Sequence, residues 1–124
     1  MRNTIQKQVI LDAVQAMHNH PTAEEIYLKI SSEHPYISKA TVYRNLNLLA
    51  ENKTILRVKL SDGADRYDFN VQKHYHMRCK NCGKVYDAPI PYYENLEKQL
   101  KDSYNFTIES HIIEFIGVCA DCKS

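Results

Sequence analysis

Apolar residues recur at helical spacing through Ile5, Val9, Ile10, Ala13, Val14 and Met17, which predicts an amphipathic first helix. A second helix is predicted from Thr22, where Thr22-Ala23-Glu24-Glu25 forms a capping box behind Pro21 and the inner stripe is Ala23, Ile26, Tyr27 and Ile30. A third starts after Ser38, an N-cap residue flanked by Ile37 and Val42 as the halves of a hydrophobic staple. Wound at 100° per residue, Val42, Leu46, Leu49 and Ala50 face inward, while Ala40, Thr41, Arg44 and Asn47 face outward. Period-two alternation then takes over. Leu56, Val58 and Leu60 alternate with Arg57 and Lys59, a turn follows at Asp62-Gly63, and Arg66-Tyr67-Asp68-Phe69 returns. Three helices followed by a basic hairpin predict a winged helix-turn-helix domain over residues 1–69, with the third helix suited to a major groove.

Residues 70–73 form a short polar hinge, after which the pattern changes. His74 to Cys79 predicts a strand leading into the knuckle Cys79-Lys80-Asn81-Cys82-Gly83, and Val85 to Ala88 a second strand. Pro91 suits the first turn of a helix with inner positions Tyr92, Tyr93, Leu96 and Leu100. Phe106 to Val118 predicts a long strand, bent near Ser110 and ending in Cys119-Ala120-Asp121-Cys122. The chain is therefore expected to be α+β: the winged helix, then a small C-terminal α/β domain over residues 74–124.

With 124 residues, 44% of them hydrophobic and 25% charged, the chain can bury one modest core or two small ones, and two would need support from a metal or a partner. The net charge of +1 hides a local basic stretch, because Lys39, Arg44, Lys53, Arg57, Lys59 and Arg66 stand against Glu51, Asp62 and Asp65. No apolar run is long enough to span a bilayer, and the N-terminus carries no secretion signal. A cytoplasmic location follows as the expectation.

Two C-x-x-C pairs, Cys79/Cys82 and Cys119/Cys122, offer four thiolates to a tetrahedral Zn²⁺, a closed and hence structural site. The same spacing also serves redox dithiols and disulfides. A second constellation is His74-Tyr75-His76 with Asp68 before it, Asp87 after it and His20 far upstream. Residues two apart on a strand share a face, so His74 and His76 can grip one ion, and mixed imidazole and carboxylate donors suit Fe²⁺, Mn²⁺ or Zn²⁺.

Over essentially its whole length the chain resembles the ferric uptake regulator (Fur) family. The resemblance rests on R-N-T-I-Q-K from Arg2, H-P-T-A-E-E-I-Y from His20, S-K-A-T-V-Y-R-N-L from Ser38, R-Y-D from Arg66 and H-Y-H-M-R-C-K-N-C-G-K-V-Y-D from His74. It implies a regulatory metal site of His20, Asp68, His74, His76 and Asp87 between the domains, structural zinc on the four cysteines, and dimerisation through the C-terminal domain. Aspartate at both positions 68 and 87 resembles the peroxide-sensing (PerR) branch, in which bound Fe²⁺ reacts with hydrogen peroxide, a ligand histidine is oxidised and DNA is released. The oxidised residues here would be His20 and His74. Three departures stand out. The chain begins at R-N-T-I-Q-K and so is expected to lack most of the family's extra N-terminal helix. Arg44 occupies a position that differs between branches. The additional metal site of some iron-uptake members is incomplete, since Lys73 and Tyr75 accompany Glu94 and His111, and no third ion is expected.

The sequence thus predicts a metal-dependent, non-enzymatic repressor that binds a palindromic double-stranded operator as a homodimer. Its expected DNA contacts are Ser38, Lys39, Ala40, Thr41, Tyr43, Arg44 and Asn47 of the third helix, with Arg57 and Lys59 of the hairpin. Its expected ions are structural Zn²⁺ and regulatory Fe²⁺ or Mn²⁺. No membrane partner is expected, and no small-molecule substrate beyond the metal ion and peroxide. Iron-uptake, zinc- or manganese-responsive repression is the alternative within the family. Outside it stand a metal hydrolase, a thiol oxidoreductase and a zinc-stabilised interaction module. No nucleophile elbow or phosphate loop supports an enzyme.

Overall fold

The computed structural model describes residues 2–123; Met1 and Ser124, the outer ends of the two expected domains, lie outside the described residues. The chain divides into two compact units, one ending at Gln72 and one beginning at Lys73.

The first unit carries α1 (Arg2–Ala16), α2 (Ala23–Glu33), α3 (Lys39–Glu51), β1 (Leu56–Val58) and β2 (Arg66–Asp68). Both later helices begin where their side chains satisfy backbone donors that a helix leaves open at its start. Thr22 accepts from the Glu25 N–H at 3.1 Å, and the Glu25 carboxylate accepts from the Thr22 N–H at 3.0 Å. Ser38 accepts from the Thr41 N–H at 3.1 Å. Ile10, Ala13 and Val14 of α1, Ile26 and Ile30 of α2, and Val42, Leu46 and Leu49 of α3 form one core with Ile37, Ile55 and Tyr67. Each fully buried aliphatic side chain contributes about 1.5–3 kcal/mol. Ile5, placed on the inner stripe by periodicity, is exposed and lies outside that core. β1 and β2 pair antiparallel, with Arg57 opposite Tyr67, and Gly63 in the connecting loop has φ +86°, a conformation that glycine adopts without strain.

The second unit holds a three-stranded sheet in the order β4 (Val85–Asp87), β3 (His76–Cys79), β5 (Glu114–Gly117), with β3–β4 antiparallel and β3–β5 parallel. A short helix, α4 (Ala120–Lys123), follows. Its buried apolar set is small, namely Tyr75, Cys79, Val85 and Ala88, so the unit depends on additional ties. One is the Arg78–Glu114 ion pair at 2.6 Å between β3 and β5, both ends largely shielded from solvent.

Two expectations need correction in this unit. The helix predicted from Pro91 is not formed; the segment turns loosely and contains only 3₁₀ turns at Glu97–Leu100 and Ser103–Asn105. Tyr93 and Leu100 of its would-be inner face are exposed, and the Tyr93 N–H is taken by the Tyr75 hydroxyl at 3.0 Å. A short helix without a buried face is not stable. The long strand predicted over Phe106 to Val118 is strand only at Glu114–Gly117, where β3 supplies the partner.

Candidate metal centres and DNA-facing surface

The knuckle after β3 is built by backbone bonds. The Gly83 N–H donates to the Cys79 carbonyl at 2.9 Å with Gly83 at φ +80°, and the Lys80 N–H donates to Gly117 at 2.8 Å, holding β5 and the last cysteine pair alongside. All four Sγ atoms lie within 4.8 Å of one another, and the cysteines are free thiols. Cys82 and Cys119 Sγ are 3.7 Å apart, far beyond a disulfide bond of about 2.05 Å. A tetrahedral zinc with Zn–S near 2.3 Å holds its sulfurs about 3.8 Å apart, so this spacing fits the metal. The electrostatics fit as well. Backbone N–H groups of Cys82 and Cys119 point at Cys79 Sγ, at 3.5 and 3.4 Å, and lower its pKa to about 5. Hydrogen bonding with the crowded Cys119 and Cys79 sulfurs pushes Cys122 up to about 12. Only a cation would let all four sulfurs in so small a space lose their protons together.

Within the first unit, His20 Nε2 lies 3.2 Å from Asp68 Oδ2. His20 has φ +56°, and two bonds hold this turn against β2: Arg66 Nη1 donates to the His20 carbonyl at 3.0 Å, and the Tyr67 N–H donates to the Pro21 carbonyl at 2.9 Å, forming an antiparallel bridge between Thr22 and Arg66. Within the second unit, Asp87 Oδ1 lies 3.0 Å from His74 Nε2 and 3.6 Å from His76 Nε2, and the two rings are 4.4 Å apart. The β3–β4 register sets this up by placing His76 opposite Asp87. Neighbouring ligands about 2.1 Å from one ion sit about 3 Å from each other, so each group suits a first-row divalent cation.

His111, Tyr75 and Glu94, singled out above with Lys73, are arranged differently. His111 Nε2 meets the buried Tyr75 hydroxyl at 2.6 Å, and its Nδ1 bonds the Glu97 carboxylate and stands 3.4 Å from Tyr92. Glu94 is exposed, while Lys73 lies over the Tyr92 ring. Glu97 and Tyr92 are partners that sequence spacing did not reveal, because the chain brings them to His111 only through the irregular segment.

Of the residues expected to meet DNA, Ser38, Lys39, Ala40, Tyr43, Arg44 and Asn47 line the exposed side of α3, with Thr41 half-buried. Arg57 from β1 bonds the Asn47 side chain, lies 4.0 Å from Asp65 and stacks over Tyr67; Lys59 is exposed just beyond β1. Glu24 of α2 was not singled out by sequence. It pairs with Lys39 at 2.6 Å and accepts from the Tyr43 hydroxyl at 3.2 Å, while the Lys39 ammonium sits over the Tyr27 and Tyr43 rings. The hydrogen bond with Lys39 holds the Glu24 pKa down and raises that of Lys39.

Comparison with known proteins identifies the family. The model of the ferric uptake regulator family matches residues 1–116. The peroxide-responsive repressor PerR of Staphylococcus aureus is 37% identical over 123 residues, covering 99% of this chain and 83% of the relative. The Campylobacter jejuni peroxide stress regulator superposes with TM-score 0.75 at 29% identity, covering 98% of this chain and 91% of that one. The Helicobacter pylori ferric uptake regulator, a protein with three functional metal-binding sites, gives TM-score 0.78 at 26% identity, covering 96% and 80%. The chain belongs to the ferric uptake regulator family.

Proposed function

We propose that this protein is a metal-dependent transcriptional repressor that senses hydrogen peroxide. The observation that carries the reading is the pairing of each aspartate with histidine: Asp68 with His20 in one unit, and Asp87 with His74 and His76 in the other. In this reading one divalent ion, Fe²⁺ or Mn²⁺, draws on all five side chains, and zinc on Cys79, Cys82, Cys119 and Cys122 supports the second unit. Because the ligands come from both units, binding favours one orientation of the DNA-reading unit over others, a population shift. In a two-fold dimer that orientation sets the spacing of two copies of α3 on a palindromic operator. Exposure of Lys39, Tyr43, Arg44, Asn47 and Lys59 on the three-helix-and-hairpin unit, with Arg57 half-buried beside them, supports a winged-helix contact with phosphates and base edges. The edge strand β5, with exposed Phe115 and Ile116, supports pairing with a second copy.

Iron at this site would supply the reducing electron for peroxide. The chain's own part is to hold the imidazoles of His20 and His74 where oxidation falls on them, after which the ligand set is spoiled and the operator released. Peroxide is then a signal consumed once, not a substrate turned over. Among the described residues no helix is long and apolar enough to cross a membrane.

Replacing His74 or Asp87 with Ala tests the reading. Metal-dependent operator binding should be lost while zinc content and dimer mass stay unchanged. Undiminished binding by either variant would contradict it.

A further inference from the structure

His20 is one of a few non-glycine residues in the left-handed region, which is disfavoured for any side chain with a Cβ and persists where the surroundings over-determine it. The residue after it, Pro21, is fully buried, so the turn cannot relax outward without opening the core. The group that closes the turn from the other side is Arg66. Its Nη1 donates to the His20 carbonyl at 3.0 Å, and the same atom stands 3.7 Å from Glu25 Oε1. That carboxylate oxygen in turn accepts the Thr22 N–H at 3.0 Å, so one guanidinium ties His20 to the capped start of α2. Two residues along β2 from Arg66 stands Asp68, whose carboxylate meets His20 Nε2. One short strand therefore carries both the carboxylate beside the imidazole and the cation that holds the imidazole's backbone.

We infer that Arg66 is a positioning residue for the regulatory metal. Its guanidinium fixes the left-handed turn at His20 and so keeps Nε2 aimed at the ion that Asp68 shares. The inference rests on the reading of His20 and Asp68 as ligands. A planar fork with several donors can serve the His20 carbonyl and Glu25 together. The single ammonium of lysine has the charge without the fork, and methionine has neither.

The test is Mn²⁺ titration of the full-length, zinc-loaded protein, followed by the paramagnetic signal of free Mn²⁺, in wild type, R66M, R66K and H20A. Loss of a group that orients a metal ligand weakens affinity about 10- to 100-fold. R66M should fall in that range, R66K should recover part of the loss, and H20A should lose binding at the site. Ile26→Val serves as the control for general loosening of the same core. It should lower the thermal midpoint with Mn²⁺ affinity unchanged, which a merely structural role for Arg66 would not allow R66M to differ from at equal destabilisation. R66M within twofold of wild type, with H20A defective, would overturn the role of Arg66 and leave the metal site standing. Wild-type affinity in H20A would overturn the ligand reading itself.

Discussion

Glu24 holds the Lys39 ammonium at 2.6 Å on the exposed face of the first unit, so a cation that begins α3 is neutralised by a carboxylate from α2. Tyr43 is tied to the same carboxylate. If Lys39 meets the DNA backbone as proposed, phosphate and Glu24 compete for it. Glu24→Gln should tighten binding to non-specific DNA several-fold at low salt and steepen its salt dependence by about one counterion. Stability should hardly change, since exposed ion pairs contribute little. Affinity measured across a salt series checks this; an unchanged slope would show that Lys39 does not reach phosphate.

The same pair has a pH window. Glu24 is depressed, so its contribution is present above the ordinary carboxylate range and fades as pH falls through the lowered value; Lys39 is raised, so its contribution lasts until pH climbs through the raised value. The tie is thus intact at neutral pH. The E24Q effect on DNA affinity should shrink in acid and persist from neutral to mildly alkaline conditions, as DNA titrations at several pH values would show.

Ser38 caps α3 through the Thr41 N–H and also donates to the Thr41 hydroxyl at 2.9 Å. Ser38→Ala should cost about 1 kcal/mol, read in urea unfolding. Because the cap also sets where α3 begins, operator affinity should fall more than stability alone explains. A stability loss near zero would remove the cap from the account.

The four thiols predict an unusual titration in the zinc-free, reduced protein. Cys79, with a pKa of about 5, should be a thiolate well below neutral pH, and Cys122, at about 12, should keep its proton into strong alkali. The stabilisation from Cys79 is present above the ordinary thiol pKa and lost as pH falls toward 5. Thiolate absorbance against pH checks both ends. Zinc added at neutral pH should release protons from the thiols that still carry them. Chelation should expose all four to alkylation and loosen the second unit, whose apolar core is small.

The legible parts of the fold were those written in local chemistry. Thr22, Glu25 and Ser38 announced two helix starts, and Ile37 and Val42, the expected staple, are both fully buried. The C-x-x-C pairs announced a thiol cluster, since their chemistry is carried by residue type and short spacing. What sequence missed depends on partners far along the chain. Tyr75 takes the Tyr93 N–H and His111 takes Glu97, so the segment after Pro91 answers to tertiary bonds in place of its helical period. Asp102, Tyr104 and Asn105 all have positive φ there, which no α-helix accommodates. Arg66 entered the sequence reading as a charge and as part of the hairpin and the R-Y-D stretch, not as a partner of His20; its bond to the His20 carbonyl spans 46 positions and leaves no local signature.

The proposed activity is metal-dependent repression relieved by peroxide. It is tested most directly by operator binding of the zinc-loaded protein with no second metal, with Fe²⁺, with Mn²⁺, and with each ion followed by low peroxide under anaerobic handling. Binding is expected only with the second metal, with loss after peroxide in the Fe²⁺ form but not the Mn²⁺ form, and with added oxygen on His20 or His74 by mass spectrometry. Binding that survives peroxide in the Fe²⁺ form, with both histidines unmodified, would contradict it and assign the protein to plain metal sensing.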